Sequence, residues 1–293
     1  MPDLERGTNL PGVKTRSWSN ALLPTQIELA ELLTTARREA RQIPSLGPDL
    51  VPESNDAGYA VNRLVARELG WEPLGWKIAG TTPAIREKLR LSAPIYGRTY
   101  RRFAIFSPAR LKLASLLDPL LECEFFVTLN RDLRAREAPW TMPEIQEAVG
   151  AVHAGIEVAE CRFPNSALPP LPAILADGSA SGHYVFGDAI ASWRDGLSGV
   201  EVTLETDGVP RRRGTGAEVM GDPLCPVLWL AEELRGWGEG LREGEMISTG
   251  STTGMLPVRG VRKVRAVFGE QAEVVIEFDR SSTLGCSGNS LSI

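Results

Sequence analysis

The stretch from Leu120 to Asp132, LLECEFFVTLNRD, sets two glutamates inside a run otherwise made of Leu, Cys, Phe and Val. In an extended strand successive side chains alternate, so Glu122, Glu124 and Phe126 share one face and Leu121, Cys123, Phe125 and Val127 the other. The two carboxylates therefore stand side by side. Ionised and that close they repel, and one takes up a proton unless a cation or water screens them. Two readings fit the stretch by itself. One is a half-exposed strand with its glutamates on the wet face. The other is a metal site, because hard divalent cations such as Mg2+ take oxygen ligands and an E-x-E pair supplies two from one rigid strand. A third ligand has to decide between them.

That candidate lies downstream in AVHAGIEVAECRF (151–163), where Glu157 sits between Ile156 and Val158 and repeats the oddity of the first pair. Three glutamates in apolar strand-like runs, drawn from two segments, suit an Mg2+ or Mn2+ site with open water positions. A further ionisable residue in apolar company is Lys77, in LGWKIAG (74–80), flanked by Trp76 and Ile78. Partial burial would lower its pKa toward general acid/base use. A snorkelling surface lysine is the alternative.

Around these segments the chain reads as an ordinary globular protein. Its 293 residues suffice for one large domain or two modest ones. With 43% hydrophobic residues and no apolar run of membrane-spanning length, a soluble protein is expected. The first twenty residues have neither an apolar signal region nor an Arg-rich transit character, so a cytoplasmic location is expected. A net charge of −5 without a long basic block argues against nucleic acid as a partner. Cys123, Cys161, Cys225 and Cys286 show no C-x-x-C spacing and read as reduced thiols.

Helical spacing appears in residues 24–42 (Ile27, Ala30, Leu33, Ala36) and in 54–71, where Ser54 or Asn55 can cap and Gly70 can end a helix. A short helix is predicted in 81–91, with Thr82 as cap and Pro83 at the first position. After about residue 100 strand signals take over, at 120–129, 154–160, 183–187, 199–206, 245–249, 261–268 and 272–278, the last two as a hairpin. Two more helices are predicted in PEIQEAVGAV (143–152) and in 222–238, the latter capped by Asp222 with Pro223 first. This gives a helical N-terminal region, residues 1–75, followed by a β-rich region, 76–293.

Several chemistries are poorly supported. RRRGTGAEVMGD (211–222) lacks both the G-x-G-x-x-G spacing and the Gly-Lys-Ser/Thr ending of phosphate loops. His153 and His183 have no partner at zinc-ligand spacing and read as structural hydrogen-bonding residues. No G-x-S-x-G elbow occurs.

Five blocks, GWKIAGTTPAIREKLRLSAPIYG (75–97), LLECEFFVTLNRDL (120–133), GIEVAECRF (155–163), ILADGSASGHYVFG (174–187) and the segment 221–251, agree in order and spacing with one family. Over residues 24 to 279 the chain resembles the 2-keto-4-pentenoate hydratase and 4-oxalocrotonate decarboxylase branch of the fumarylacetoacetate hydrolase superfamily. The resemblance implies an α+β fold with a small helical N-terminal part packed on a mixed β-roll, the roll being the catalytic domain. It implies Mg2+ or Mn2+ held by Glu122, Glu124 and Glu157, proton transfer by Lys77, and Asp177 and Ser181 close to substrate. Thr249 and Gly250 resemble a contact for the substrate carboxylate.

The activity implied is that of a divalent-metal-dependent lyase. It acts on a 2-oxo acid, or its 2-hydroxydienoate tautomer, through a metal-stabilised enolate. Hydratase-like chemistry comes first. A 4-oxalocrotonate-type decarboxylase, or a specialised-metabolite tailoring enzyme or binder on the same fold, is the alternative. The expected partners are a small-molecule 2-oxo acid and further copies of the chain in a homo-oligomer, with no nucleic acid and no membrane. One departure bears on the chemistry: where many hydratases of this branch have an acid before the aromatic and glycine, this chain reads PIYG, with Ile95 in that position. Isoleucine can neither carry a proton nor orient water. The segments 162–175 and 100–108 are expected to line the entrance.

Overall fold

The computed structural model describes residues 22–270 and 272–279. The extreme N-terminal segment and Cys286 lie outside them. Two β-sheets and a helical layer make up the α+β fold expected. The larger sheet has the order β2 (Ile95–Tyr100), β1 (Pro73–Ala79), β10 (Met246–Ser248), β5 (Leu120–Leu129), β6 (Val149–Ala159), β7 (His183–Ala189) and β3 (Ala104–Phe106), with β11 (Leu256–Pro257) also paired to β5. The smaller runs β4 (Ala109–Lys112), β13 (Ala272–Asp279), β12 (Lys263–Phe268), β8 (Glu201–Thr206) and β9 (Val209–Thr215). Both are mixed: β1 with β10, β3 with β7 and β13 with β4 are parallel, and the other pairs antiparallel.

The main core fills the space between the two sheets. Leu121, Cys123, Phe125 and Val127 of β5 all enter it, and Phe125 meets Phe268 of β12 edge to face at 5.3 Å between ring centres. Burying each such aromatic is worth about 1.5–3 kcal/mol. The alternation read from LLECEFFVTL is thus the alternation that forms, and the opposite face of β5 is left for Glu122 and Glu124.

A second apolar cluster joins α1 (Pro24–Arg38), α2 (Asn55–Leu69) and α5 (Leu171–Ala176), with α3 (Pro83–Leu89), α4 (Met142–Ala148) and α6 (Cys225–Gly236) elsewhere. The caps of α2 and α3 follow the sequence. Ala57 N donates to Ser54 Oγ at 3.1 Å, Gly70 closes α2 in the left-handed conformation, and Ile85 N donates to Thr82 Oγ1 at 3.2 Å. Among the described residues no helix is long and apolar enough to cross a membrane.

Four local expectations need correction. Strands begin earlier than the expected takeover near residue 100, since β1 and β2 lie at Pro73–Ala79 and Ile95–Tyr100. Strand β1 is buried along nearly its whole length, so PLGWKIA carries no period-two signal. Helix α6 starts at Cys225, because Asp222 makes a preceding turn in which its carboxylate accepts from Leu224 N at 2.8 Å. Helix α4 ends at Ala148 and β6 starts at once at Val149, five residues earlier than expected, since Val149 and Val152 suit either state. Ile27 is exposed, and α1 instead buries Leu29, Ala30, Leu33 and Ala36.

Candidate active site

The registers carry one row of polar side chains across the larger sheet. Lys77 is opposite Ser248, Ser248 opposite Phe126, Glu122 opposite Glu157, and Glu157 opposite Tyr184. With side chains two apart sharing a face, Lys77, Ser248, Glu124, Glu122, Glu157 and Tyr184 stand on the side away from the main core. The half-exposed strand is thereby excluded. Glu124 and Glu157 are fully buried and Glu122 is only 9% exposed.

One oxygen from each of the three carboxylates lies within 4.8 Å of the others. Glu124 Oε2 accepts from Ser248 Oγ and, at 2.9 Å, from Gly250 N. Glu157 Oε1 accepts from the Tyr184 hydroxyl at 3.1 Å and lies 3.4 Å from Lys77 Nζ. The second oxygens, Glu124 Oε1 and Glu157 Oε2, are buried and accept no hydrogen bond from any described residue. Orphaned buried carboxylate oxygens are rare and costly. Three buried carboxylates also face a single buried ammonium, Lys77. Both features fit a hard divalent cation, for which carboxylate oxygens are the natural donors.

The acidities reflect this imbalance. Burial, and after it the neighbouring carboxylates Glu157 and Glu122, push the Glu124 carboxyl well above the ordinary range. Burial likewise raises Glu157, to about 7, although Lys77 pulls it down. Glu122 is raised by burial against the pull of Lys77. Burial alone would lower the Lys77 ammonium, but Glu157, Glu122 and Glu124 outweigh it and hold the pKa above its usual value. The expectation of a lowered lysine pKa is therefore corrected. Its premise of partial burial understates the case, since Lys77 is 2% exposed and donates to the Ser179 carbonyl at 2.9 Å.

A pH dependence follows for the metal-free protein. Carboxyls with a raised folded pKa stabilise the fold fully below their unfolded pKa, and that contribution drains away as pH rises through the folded value. For Glu157 the window runs from the ordinary carboxylate range up to about 7. The loss is about 1.4 kcal/mol per pH unit for each such group. Urea unfolding of chelator-treated protein should show a lower midpoint at about pH 8 than at about pH 5. A midpoint equal or higher at the upper pH would refute this electrostatic picture.

The other expected residues are placed as follows. Ser181 Oγ pairs at 2.9 Å with the Tyr184 hydroxyl that binds Glu157. Gly250 reaches the acidic cluster through its backbone N–H, whereas the Thr249 hydroxyl donates to the Phe125 carbonyl at 3.0 Å and pins the turn to β5. Asp177 turns its carboxylate to Arg162 and Arg37. Ile95 is on the same face as Lys77, packed with Leu91 and Leu175. The sequence did not single out Ser248, Tyr184 or Ser179; of these only Tyr184 carried a signal, as a tyrosine inside a run read as a strand. Of the two histidines, His183 makes the expected hydrogen bond, its Nδ1 lying 2.8 Å from Glu160 Oε2, whereas His153 Nδ1 is buried with no hydrogen-bond partner among the described residues.

The mixed sheets and helical layer that carry this acidic face form a fold shared with solved structures. Among solved structures, 4-oxalocrotonate decarboxylase from Pseudomonas putida G7, complexed with magnesium and adipate, superposes with a TM-score of 0.80 at 24% identity, over 89% of this chain and 100% of that one. No family model matches the chain. In sequence, the 2-keto-4-pentenoate hydratase of Burkholderia vietnamiensis is 29% identical over 256 residues, which is 83% of this chain and 97% of the relative. The 2-keto-4-pentenoate hydratase of Paraburkholderia xenovorans is 30% identical over 256 residues, 82% of this chain and 94% of the relative. The chain belongs to the 2-keto-4-pentenoate hydratase family, a family of lyases.

Proposed function

We propose that this chain is a divalent-metal-dependent lyase acting on a small 2-oxo acid or its 2-hydroxydienoate tautomer, with hydration as its first reaction. The observation that carries this reading is the meeting of three buried carboxylates, two of their oxygens unpartnered, beside a buried lysine. Glu122, Glu124 and Glu157 would hold Mg2+ or Mn2+. Bound there, the cation would neutralise the carboxylates and act as a Lewis acid toward the carboxylate and 2-oxygen of the substrate.

The protein's own groups do the rest. Lys77, held by Ser179 and Glu157, is the proton-transfer residue. Ser248 Oγ and Gly250 N orient Glu124, while Tyr184 orients Glu157. The turn bearing Thr249 and Gly250 and the loop bearing Asp177 and Ser181 border the substrate. In this reading the chain divides into an N-terminal part, residues 1–75, whose described helices α1 and α2 brace the roll, and a catalytic part, residues 76–293. The protein works in the cytoplasm as a homo-oligomer, with neither nucleic acid nor membrane as partner. Exchange of the C3 protons of pyruvate into D2O with Mg2+ present tests the reading. Affinity without exchange would make the protein a binder and overturn it.

Ile95 favours a second reaction, decarboxylation. In its apolar setting with Leu91 and Leu175 it offers a hydrating water no base, whereas loss of CO2 needs mainly an electron sink. Ile95→Asp should then raise hydration of 2-hydroxypenta-2,4-dienoate by about tenfold or more, at some loss of stability from the buried carboxyl. Fast native hydration left unchanged by the substitution would show that another group supplies the base.

A further inference from the structure

The loop from Asp177 to Ser181 links the lysine to the acidic cluster, and its backbone is unusual. Gly178, Ser179 and Ala180 are all left-handed, with φ of 75°, 57° and 61°. Two of the three carry side chains, for which that region is unfavourable, so their surroundings must over-determine the loop. From this conformation it makes the contacts that matter at the site. The Ser179 carbonyl accepts from Lys77, Ser179 Oγ donates to the Tyr96 carbonyl at 2.7 Å, and Ser181 Oγ meets Tyr184. A Cβ at Gly97 would overlap the Gly178 carbonyl, so the loop rests directly on β2 where it faces Lys77.

Two buried arginines hold this loop at its ends. Arg162 donates to Asp177 Oδ2 from its backbone N at 2.9 Å and from Nε at 3.2 Å, and its Nη2 reaches the Ser181 carbonyl at 2.9 Å. Arg37, from α1, pairs its Nη2 with Asp177 Oδ1 at 3.1 Å and donates to the Asp177 carbonyl. The arginine side chains are 6% and 2% exposed and the aspartate is fully buried. Breaking one partner of a charge pair buried this deeply leaves the other uncompensated, so the loop is held to the arrangement in which Asp177 meets both arginines.

We infer that Arg37 and Arg162 are positioning residues for the site: they clasp Asp177 and lock the left-handed loop whose Ser179 carbonyl fixes the Lys77 ammonium. Asp177 acts through the loop, and helix α1 becomes part of the machinery that sets the lysine. The inference rests on the proton-transfer role proposed for Lys77.

The test uses the full-length, Mg2+-loaded protein carrying Arg37→Ala, with Lys77→Met in parallel. Hydrogen exchange is followed across residues 171–184, together with kcat and KM for C3-proton exchange of pyruvate. Arg37→Ala should speed amide exchange selectively in the loop and lower kcat on the order of a hundredfold, with KM and Mg2+ affinity little changed. Added guanidinium should restore part of kcat. If the alanine variant fails to fold, Arg37→Lys, which keeps the charge but loses the planar guanidinium whose Nη2 reaches both the carboxylate and the carbonyl of Asp177, should show the same split in milder form. Native kcat in a folded Arg37 variant, or loss of kcat and KM together with protection lost throughout the protein, would overturn the inference. Should Lys77→Met itself keep native exchange, the role of Lys77 fails first; an inactive Lys77→Met beside a fully active Arg37→Ala sinks the clasp alone.

Discussion

Glu124→Gln is expected to abolish metal-dependent turnover while making the metal-free protein no less stable. Glutamine keeps the shape and an oxygen to accept from Ser248 Oγ and Gly250 N. It removes one negative charge from a place where burial and two neighbouring carboxylates already force that group toward its neutral form. Metal-free, the substitution relieves repulsion. With Mg2+ it would delete an anionic ligand of the proposed metal site, and losing several kcal/mol of charge stabilisation would lower turnover by about a hundredfold or more. Steady-state rates, with urea unfolding of chelator-treated protein, check both halves. A variant that turns over normally would remove Glu124 from the site.

Lys77→Met should lower turnover by about a hundredfold to ten-thousandfold, the range that a positioned acid or base contributes. Unlike the glutamate change, it should also weaken the metal-free fold. Lys77 is the cation that the three carboxylates share, and it is 3.4 Å from Glu157. Removing it leaves buried acids with no counter-charge, a loss typically of about 3–5 kcal/mol, part of which protonation of Glu157 can offset. Mg2+ should restore much of that stability without restoring turnover. A variant whose rate recovers with added Mg2+ would mean that the lysine merely balances charge.

The contrast between these substitutions reflects what a sequence can carry. Glu122, Glu124 and Glu157 were legible because each breaks an apolar run, and because a strand's two-residue period translates directly into faces. Lys77 was legible as an oddity, but its strand was not: β1 is covered on both sides, so its sequence shows no alternation, and its parallel partner β10 comes late in the chain. The raised pKa of the lysine was illegible for the same reason, since it depends on acids brought in from β5 and β6. Least visible was the 177–181 loop. Nothing in DGSAS announces three left-handed residues, and of the arginines that hold Asp177 one lies on α1 and the other in the loop after β6. Local propensity speaks for caps such as Ser54 and Thr82; long-range ion pairs leave no periodic trace.

Thermal unfolding with and without Mg2+, for the native protein and for Glu124→Gln, addresses the three-glutamate centre most directly. Native protein should gain stability by about 2.7 kcal/mol when free Mg2+ is a hundredfold above its Kd, with Mn2+ acting alike, and Glu124→Gln should gain little at the same concentration. A native melting temperature that does not respond to either ion, or an equal rise in both proteins, would contradict metal binding by Glu122, Glu124 and Glu157.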